Sequence, residues 1–494
     1  MTPFLKPRRI GWLAFASATL LAGCAVGPDY KEPAPPSVSD YTATPLSTTS
    51  ATPNMPGGDA QHFVTGQDIS GEWWTLFHSK PLNTLIERSL KANPNIKAAQ
   101  AALAAARENT LAQEGAFFPS VSGGFNAQRA KSSNELSPIP SVTTFYYSLY
   151  TPQVSVSYAP DVFGLNWRTV ENLKAQEEQA RFELVAAHIA LSANVAAAAI
   201  QEASLRGQIA ATRQLIAINT DMLRLVRNQL ARGCMTQLDV ATQQSQLAQV
   251  AATLPPLLKQ LAQQRDLLAA LSGAFPSQDP AESFEMSSLQ LPQDLPVSLP
   301  SRLVEQRPDV RQAEENLHAA SAQIGIAVAN RLPNITLTAN VGASALAASQ
   351  LFTPGTGFWT LAGSLTQPIF QGGMLLHKER AARDAFVQAQ EQYKSTVLTA
   401  FQNVADSLNA LEQDANALKT AATARDAAQT TLDLTKRQLQ SGSVNYLAVL
   451  TAEQGYQQAL STLVQAQANR YADTAALFQA LGGGWWNRSD LPKN

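Results

Sequence analysis

The residues best suited to catalysis or metal binding are scattered along this chain. Its five histidines lack the mutual spacing that metal ligands need; they are His62, His78, His188, His318 and His377. The sequence contains no Gly-x-Ser-x-Gly turn, no phosphate-binding loop and no Cys–His pair suited to nucleophilic catalysis. We therefore expect no enzymatic activity, no cofactor and no bound metal, and we interpret the histidines as surface or packing residues.

Cys24 is the position with a recognisable chemistry. Basic residues at 6–9 precede an apolar run over 10–21, which is too short to span a membrane and is typical of a secretory signal. The Leu-Ala-Gly sequence before Cys24 is similar to a bacterial lipoprotein signal, in which cleavage leaves the cysteine as the lipid-modified first residue. Ala25 then indicates sorting to the outer membrane. We predict a signal peptide over 1–23 and lipidation of Cys24; the alternative is an uncleaved anchor.

The charge balance and the second cysteine exclude other classes of protein. The formal net charge is −2 and no Lys/Arg cluster follows the N-terminus, so we expect no nucleic-acid partner. Charged residues make up only 15%, below the roughly 25% of soluble domains. If Cys24 is lipid-modified, Cys234 has no partner in the chain and an intramolecular disulfide is excluded. We expect Cys234 to be a buried or inert small residue.

A helical hairpin occurs twice in the chain. Residues 223–242 recur at 432–451, an offset of 209 residues (432 − 223). In both copies a helical pattern ends at a glycine and restarts within a few residues, which indicates an antiparallel helical hairpin. Matching pairs include Leu223/Leu432, Leu230/Leu439, Gly233/Gly442, Leu238/Leu447 and Val240/Val449. The recurrence indicates duplication.

Each hairpin is predicted to consist of long helices. Residues 166–232 contain no proline and carry apolar residues every seven positions, as do 374–441. Roughly 66 residues at about 1.5 Å each give about 100 Å of helix. Heptads on both arms predict a left-handed, coiled-coil-like seam. The ladders are interrupted at Glu202, Arg425 and Arg470, and Pro255-Pro256 should kink the first return arm.

Four runs of alternating apolar and polar residues predict strands. They lie near 121–128, 153–158, 335–341 and 359–366, and Pro119 and Pro333 precede the two pairs at equivalent places. On pattern alone, two hairpins lying on the helices and a transmembrane barrel are equally supported; the lipoprotein signal favours the barrel. Aromatic residues near one end of each hairpin fit a membrane-interface girdle: Tyr146, Tyr147, Tyr150, Phe352, Phe358 and Trp359.

Four strands cannot close a barrel, because the smallest transmembrane barrels need about 8. Open strand edges cannot face lipid, so several copies must combine, and three copies would supply about 12 strands. The fold class we predict is therefore mainly α, with duplicated helical hairpins forming an α-barrel and four strands per chain joining a trimeric 12-stranded β-barrel. The predicted segments are a lipid-anchored extended N-terminal segment (24–70), two structural repeats (71–272 and 301–481), a linker (273–300) and a C-terminal tail (482–494).

Short motifs are spread over nearly the whole mature chain: Trp73-Trp74 with Phe77, Leu299-Pro300-Ser301, Arg307-Pro308-Asp309-Val310-Arg311 with Ala313-Glu314, Ile324-Gly325, Pro368-Ile369-Phe370 with Gly372-Gly373, and Ala480 to Trp485. Through these motifs the chain resembles the TolC-like outer-membrane efflux factors, specifically the NodT-type lipoprotein branch. The resemblance implies a homotrimer in the outer membrane whose helical tunnel crosses the periplasm. It also implies a periplasmic adaptor and an inner-membrane transporter, expected to be proton-driven, as partners, with the chain acting as the exit duct for small molecules.

The same resemblance places the functional site at the two hairpin turns. The turns should form the periplasmic tip, which closes the tunnel at rest and contacts the adaptor; the candidate residues are Arg232, Gly233, Asp239, Gly442, Ser443 and Leu447. Related channels carry a carboxylate nine residues after the second glycine, where this chain has Thr451, and Ala448 occupies another site that is acidic in some members. The candidate constriction residues are therefore Asp239, Thr451 and Glu453. Helix capping is an equal alternative for Asp239.

Two further functions stay open on the sequence. The channel could belong to a type I protein secretion system, with protein as its cargo. The chain could also be a structural lipoprotein that spans the periplasm without conducting, with strands packed on its helices.

Overall fold

The computed structural model describes residues 25–132, 145–278 and 281–491. The predicted signal peptide (1–23), Cys24 and the last three residues of the predicted tail lie outside the described residues. The helices are α1 (Lys80–Ala92), α2 (Pro94–Glu114), α3 (Leu165–Ala231), α4 (Gln237–Ala252), α5 (Leu254–Leu271), α6 (Pro300–Gln306), α7 (Pro308–Ala329), α8 (Met374–Gln440) and α9 (Tyr446–Ala480). The strands are β1 (His62–Thr65), β2 (Ser120–Ser132), β3 (Phe145–Tyr158), β4 (Asp294–Val297), β5 (Asn334–Ala343) and β6 (Gly357–Thr366).

The chain folds into two compact units, and each unit draws on both sequence repeats. Of the described residues, the strand unit comprises 25–32, 103–132, 145–179 and 313–393, whereas the hairpin unit comprises 33–102, 180–278, 281–312 and 394–491. The element order helix, β-hairpin, long helical hairpin does occur twice. The repeats predicted over 71–272 and 301–481 are nevertheless not separate compact bodies, because like elements of the two repeats pack together.

The two long helices are confirmed almost to the residue. Helices α3 and α8 each contain 67 residues, as expected for two copies of one hairpin. Between α4 and α5 the helix breaks at Thr253, just before the Pro255-Pro256 pair, whereas α9 runs unbroken for 35 residues. An apolar stretch of α3 could cross a membrane by length and composition, but 67% of it is buried inside the protein. This stretch therefore packs against neighbouring helices within the protein.

The predicted helix from 81 to 116 is divided into two. Helix α1 ends at Ala92 and α2 begins at Pro94, with Asn93 extended between them. Proline disfavours the helical conformation of the residue before it and lacks a backbone donor. The Asn93 side chain accepts a hydrogen bond from the Asn95 backbone N–H at 2.8 Å, which satisfies a donor at the new helix start.

Two of the three heptad interruptions, Glu202 and Arg470, are buried polar sites in the hairpin unit, whereas Arg425 is partly exposed and pairs with Asp426. Glu202 is completely buried and pairs with Arg206 at 2.7 Å and with Arg265 at 2.9 Å. Arg470 is also completely buried; it donates to the Thr49 hydroxyl at 2.9 Å and to the Asp59 carbonyl at 2.6 Å. A buried charge is tolerated when it is paired or hydrogen-bonded, and these contacts engage Glu202 Oε1 and Arg470 Nη2, while Glu202 Oε2 and Arg470 Nη1 make no hydrogen bond to any described residue.

From residue 33 onward, the predicted lipid-anchored extended N-terminal segment (24–70) therefore packs within the hairpin unit instead of extending freely. Besides Arg470, strand β1 holds it through parallel pairing with β4, from His62 opposite Asp294 to Thr65 opposite Val297. Strand β4 also shows that the predicted linker 273–300 is structured in part. These contacts join distant parts of the sequence, so local pattern could not reveal them.

The predicted C-terminal tail (482–494) packs as part of the hairpin unit as far as it is described. The Trp485 indole donates to the Gln306 carbonyl at 2.7 Å, and its ring meets Phe182 edge-on at 5.9 Å. Gly484 adopts φ +69°, where an added side chain would collide with the Ile69 and Ser70 carbonyls. The glycines before Trp485 thus allow the chain to turn back against the helices.

The four predicted strands form one antiparallel sheet in the strand unit, in the order β2-β3-β5-β6. Strands β2 and β6 are its edges. The pairing rows cross all four strands: Val121, Val156, Ala339 and Leu361 make one row. The next row contains Ser122, Ser155, Asn340 and Thr360. Alternate rows point to opposite faces, so the register separates an apolar face from a polar face.

Candidate functional site: the hairpin tips and the amphipathic sheet

The first hairpin turn closes the end of α3 through Gly233. This glycine has φ +77°, the left-handed conformation that terminates helices. Its N–H donates to the Leu230 carbonyl and the Cys234 N–H donates to the Gln229 carbonyl, each at 2.9 Å. These two bonds satisfy helix-terminal carbonyls in the Schellman pattern. The helical pattern of the first hairpin thus ends at Gly233, as the sequence predicts.

The second turn repeats this geometry. Gly442 has φ +75°, its N–H donates to the Leu439 carbonyl at 3.1 Å, and the Ser443 N–H donates to the Gln438 carbonyl at 2.8 Å. A Cβ on either turn glycine would meet nothing within 4 Å. Backbone conformation, and not lack of space, is therefore the reason for glycine at both turns.

The return helices begin with different caps. In the first hairpin the Thr236 N–H and hydroxyl donate to Asp239 Oδ2 at 2.8 and 2.7 Å, and the Asp239 N–H donates to the Thr236 hydroxyl at 3.3 Å. This is a capping box. The hydrogen bonds from Thr236 hold the pKa of Asp239 below its ordinary value, so the residue keeps its negative charge. In the second hairpin Asn445 Oδ1 accepts from the Ala448 N–H at 3.2 Å.

The outer surface of the tips combines apolar and polar side chains. Leu238 and Leu447 occupy equivalent positions in the two hairpins and expose 74% and 64% of their surface. Arg232 and Ser443 are also exposed. The Cys234 side chain is exposed as a free thiol, which contradicts the buried residue among our two expectations, while the inert residue stays a prediction. The turn carries Cys234 beyond the end of α3, away from the helix seam.

The candidate constriction residues lie in different environments. Thr451 is exposed, and its hydroxyl donates to the Leu447 carbonyl at 3.0 Å. Glu453 exposes only 2%; its nearest cation is the Lys436 ammonium, 3.9 Å from Oε1, and burial raises the pKa of this carboxyl. This burial corrects our selection of Glu453, because a side chain enclosed between α8 and α9 cannot present charge to a channel. The signal was available, since Glu453 follows Val449 at the i+4 position of a buried helix face.

Behind the tips, the two hairpins share one hydrophobic core. The cluster contains side chains from α3, α4, α8 and α9, including Leu223, Val240, Leu432 and Val449. Within the first hairpin a buried amide pair joins the arms, because Gln243 Nε2 donates to the Asn219 carbonyl at 3.1 Å and to its side chain at 3.0 Å. At the offset of 209 residues, the equivalents of Asn219 and Gln243 in the second hairpin are Ala428 and Ala452, so this amide pair has no counterpart there. The second hairpin instead contains the buried acid Glu453, next to Ala452.

The sheet presents a large apolar surface. On its apolar face Val121, Trp359 and Leu361 expose 69%, 78% and 74% of their surface. The opposite face carries mostly Ser, Thr, Asn and Gln. The predicted aromatic residues do lie toward one end: Tyr146, Tyr147 and Tyr150 are on the β3 half distant from Tyr158, and Phe358 and Trp359 begin β6 beside the last residues of β5. This chemistry suits a sheet with lipid on one side and water on the other.

We did not predict from the sequence the buried polar contacts that stabilise the hairpin unit. Glu202 and Arg470 were noted only as breaks in heptad ladders, although a charged residue at a core heptad position is itself a sign of a buried polar contact. Among the residues that the structure describes, no group of three or more His, Cys, Asp or Glu side chains is placed to hold a metal ion.

The geometry agrees with comparisons to known proteins. The outer membrane efflux protein family matches residues 85–274 and 299–483. The toluene efflux pump outer membrane protein TtgF of Pseudomonas putida is 30% identical, over 97% of this chain and 98% of its own length. The cation efflux system protein CusC of Escherichia coli is 28% identical, over 96% of this chain and 98% of its own length. The solved structure of the outer-membrane channel OprN superimposes with a TM-score of 0.83 at 25% identity, over 94% of this chain and all of that one.

The helical hairpins, the four-stranded sheet and these matches agree over nearly the whole chain. The chain belongs to the outer membrane efflux protein family, as an outer-membrane efflux channel that extends into the periplasm.

Proposed function

We propose that this protein is the passive exit duct of a tripartite efflux pump, assembled from three copies of the chain. The observation that carries the proposal is the four-stranded sheet with an exposed apolar face, a polar face and two edges. Edges β2 and β6 have one neighbour each within the described chain. Unpaired backbone groups are not tolerated in lipid, so each edge requires a partner.

Three copies satisfy this requirement. The strands alternate in direction along the sheet, so β6 of one copy runs antiparallel to β2 of the next, which is the arrangement of an up-and-down barrel. Twelve strands exceed the about 8 of the smallest transmembrane barrels and leave room for a lumen lined by the polar face. Water fills such a lumen, and solutes cross it without catalysis.

The hairpin tips are the proposed contact with a periplasmic adaptor. Leu238 and Leu447 form exposed apolar contacts at equivalent sites, and Arg232 and Ser443 add polar ones around them. Exposed apolar residues with a polar rim are typical of protein interfaces. In this proposal the adaptor connects the duct to a proton-driven inner-membrane transporter, which supplies the energy.

Small molecules are the proposed cargo. Relatives at closely similar identity are named for toluene and for cations. A shared duct that serves such different solutes contains no selective pocket, so the transporter chooses the substrate. If the three copies form a charged ring at the entrance, Asp239 is the proposed source, because it keeps its charge and lies one residue from exposed Leu238. Thr451 is the proposed neutral counterpart in the second hairpin.

The lipid on Cys24 is proposed as a second attachment to the outer membrane. The residues that follow it are held within the strand unit: Arg168 donates to Asp29 at 2.7 Å and to the Val26 carbonyl at 3.1 Å. Tyr30 stacks on His318 with ring centroids 4.2 Å apart. Hydrogen bonds to Glu171 raise the pKa of His318 to about 9, so the imidazole is charged at neutral pH. These contacts hold residues 26–30, which closely follow the proposed lipid attachment at Cys24, against the strand unit.

Disulfide cross-linking between edge strands tests the assembly. In a Cys234→Ser background, Asn126→Cys in β2 is combined in turn with cysteines at polar-face positions of β6, namely Thr360, Ala362 and Ser364. We expect at least one combination to give covalent trimers in outer membranes. Asn126→Cys with Thr338→Cys, on the interior strand β5, is the matched control and should stay uncross-linked. Monomers in every edge combination would refute the closed barrel.

A further inference from the structure

A groove crosses the apolar face of the sheet. Its volume is about 840 Å³, and its principal lining residues are Gly123, Phe125, Val154, Val341, Ala343 and Phe352. The first five lie on strands β2, β3 and β5, and Phe352 belongs to the loop between β5 and β6. All six lie in the strand unit. The groove is therefore a feature of the surface that faces lipid in the proposed barrel.

Gly123 lies in the floor of the groove, and the fold of the strand does not itself require a glycine there. Its backbone has no positive φ, and an added Cβ would meet nothing within 4 Å. Glycine inside a strand weakens the sheet, and where it persists it often marks the close approach of a ligand. The missing side chain leaves a depression between Phe125 and Val154, and this depression is what glycine contributes here.

Phe352 forms one wall of the groove, and its backbone conformation is a second, independent observation that points to a ligand. It has φ +66°, a conformation that is strained for a bulky residue, while 79% of its surface is exposed. Burial within the chain does not compensate for this strain. A long apolar molecule lying along the groove would cover the Phe352 ring and stabilise the loop.

We propose that this groove binds one acyl chain of a membrane lipid, in addition to the bulk lipid around the barrel. The inference rests on the proposed orientation of the sheet, with its apolar face toward the bilayer. An acyl chain fits because the groove is mostly apolar, with Thr353 and Thr356 at the β5–β6 loop, and because the floor lacks a side chain at Gly123. Bound lipid would link the β5–β6 loop to strands β2 and β3.

Native mass spectrometry of the full-length protein tests the proposal. The protein is purified as its assembled oligomer, stripped of lipid in detergent and mixed with phosphatidylethanolamine or, in a second arm, lipid A. The covalent lipid on Cys24 is distinguished because it survives denaturation. We expect wild type to retain up to one lipid per chain. Gly123→Leu, which fills the groove, should reduce occupancy roughly tenfold or more.

Ala127→Leu is the matched control, because it adds the same kind of bulk to the same face of the same strand outside the groove lining. It should retain lipid like wild type. Phe352→Ala removes a wall in an exposed loop without touching the strands and should weaken retention as Gly123→Leu does. Retention in one arm alone identifies the head group that accompanies the acyl chain.

Equal lipid retention by wild type, Gly123→Leu and Phe352→Ala would overturn the proposal. A wild-type oligomer that retains no lipid would also overturn it and would indicate that a neighbouring copy fills the groove. The same spectra give the mass of the oligomer in every variant, and the β2–β6 cross-linking is measured separately on the cysteine variants, so failure of the barrel is distinguished from failure of the groove.

Discussion

Substitution of the tip glycine Gly442 by alanine should loosen the second hairpin. The residue has φ +75°, and an alanine Cβ there would contact nothing within 4 Å, so the cost is conformational rather than steric. Placing a non-glycine residue in the left-handed region costs about 1–2 kcal/mol. We expect Gly442→Ala to destabilise the local helix end by this amount, and Gly442→Asn to cost less because asparagine tolerates this region better.

Gly455 is the matched control for this prediction. It lies within α9, has an ordinary helical backbone, and its Cβ would also meet open space. Alanine replaces glycine favourably inside a helix, by about 0.5–1 kcal/mol. Replacing glycine by alanine should therefore destabilise the protein at Gly442 and stabilise it at Gly455.

Hydrogen exchange measured by mass spectrometry on the purified oligomer separates these effects. Amides around 438–446 should exchange about 5–30-fold faster in Gly442→Ala than in wild type, the factor that corresponds to 1–2 kcal/mol. Amides near Gly455 should exchange more slowly in Gly455→Ala. Unchanged or slower exchange at the Gly442 turn would refute the argument that its backbone conformation sets the end of α8.

Three further outcomes follow from the hairpin unit. Arg470→Met removes the donor to the Asp59 carbonyl and one of the two donors to the Thr49 hydroxyl, whose other donor is the Gln61 N–H, so exchange across residues 48–61 should accelerate as expected for a loss of about 1–3 kcal/mol; unchanged protection would show that these contacts do not hold the N-terminal segment. Thr236→Ala removes the capping box with Asp239 and should cost the start of α4 about 1 kcal/mol, seen as faster exchange there; wild-type exchange would contradict the cap. Burial raises the folded-state pKa of Glu453, so the second hairpin should lose stability as pH rises above the unfolded value of 4.5; Glu453→Gln should abolish this pH dependence, and a dependence equal to that of wild type would count against the buried acid.

The long helices and the sheet could be predicted from sequence because their signals are local. Absence of proline and a seven-residue apolar repeat determine α3 and α8, and alternation after Pro119 and Pro333 determines the four strands. The glycine turns were predictable for the same reason, since Gly233 stands where one helical pattern ends and the next begins.

The attachments between distant segments could not be predicted in this way. Thr49 and Arg470 are 421 residues apart, so neither neighbourhood suggests the other. The pairing of β1 with β4 joins two strands of four residues each, which are too short to show a strand pattern. Glu453 shows a different limit: we selected it as an acidic residue near Thr451, the position nine residues after Gly442, whereas its helical phase relative to Val449 places it in the core.

Single-channel recording in planar lipid bilayers tests the central claim most directly. Purified wild-type oligomer and the Gly233→Ala/Gly442→Ala double variant, whose two turns are loosened equally, are reconstituted at matched density. A water-filled barrel closed at its tips predicts discrete ion-current steps, with the variant open for a larger fraction of time than wild type. Intact, inserted oligomers that carry no current in either form would contradict the account of this protein as an exit duct.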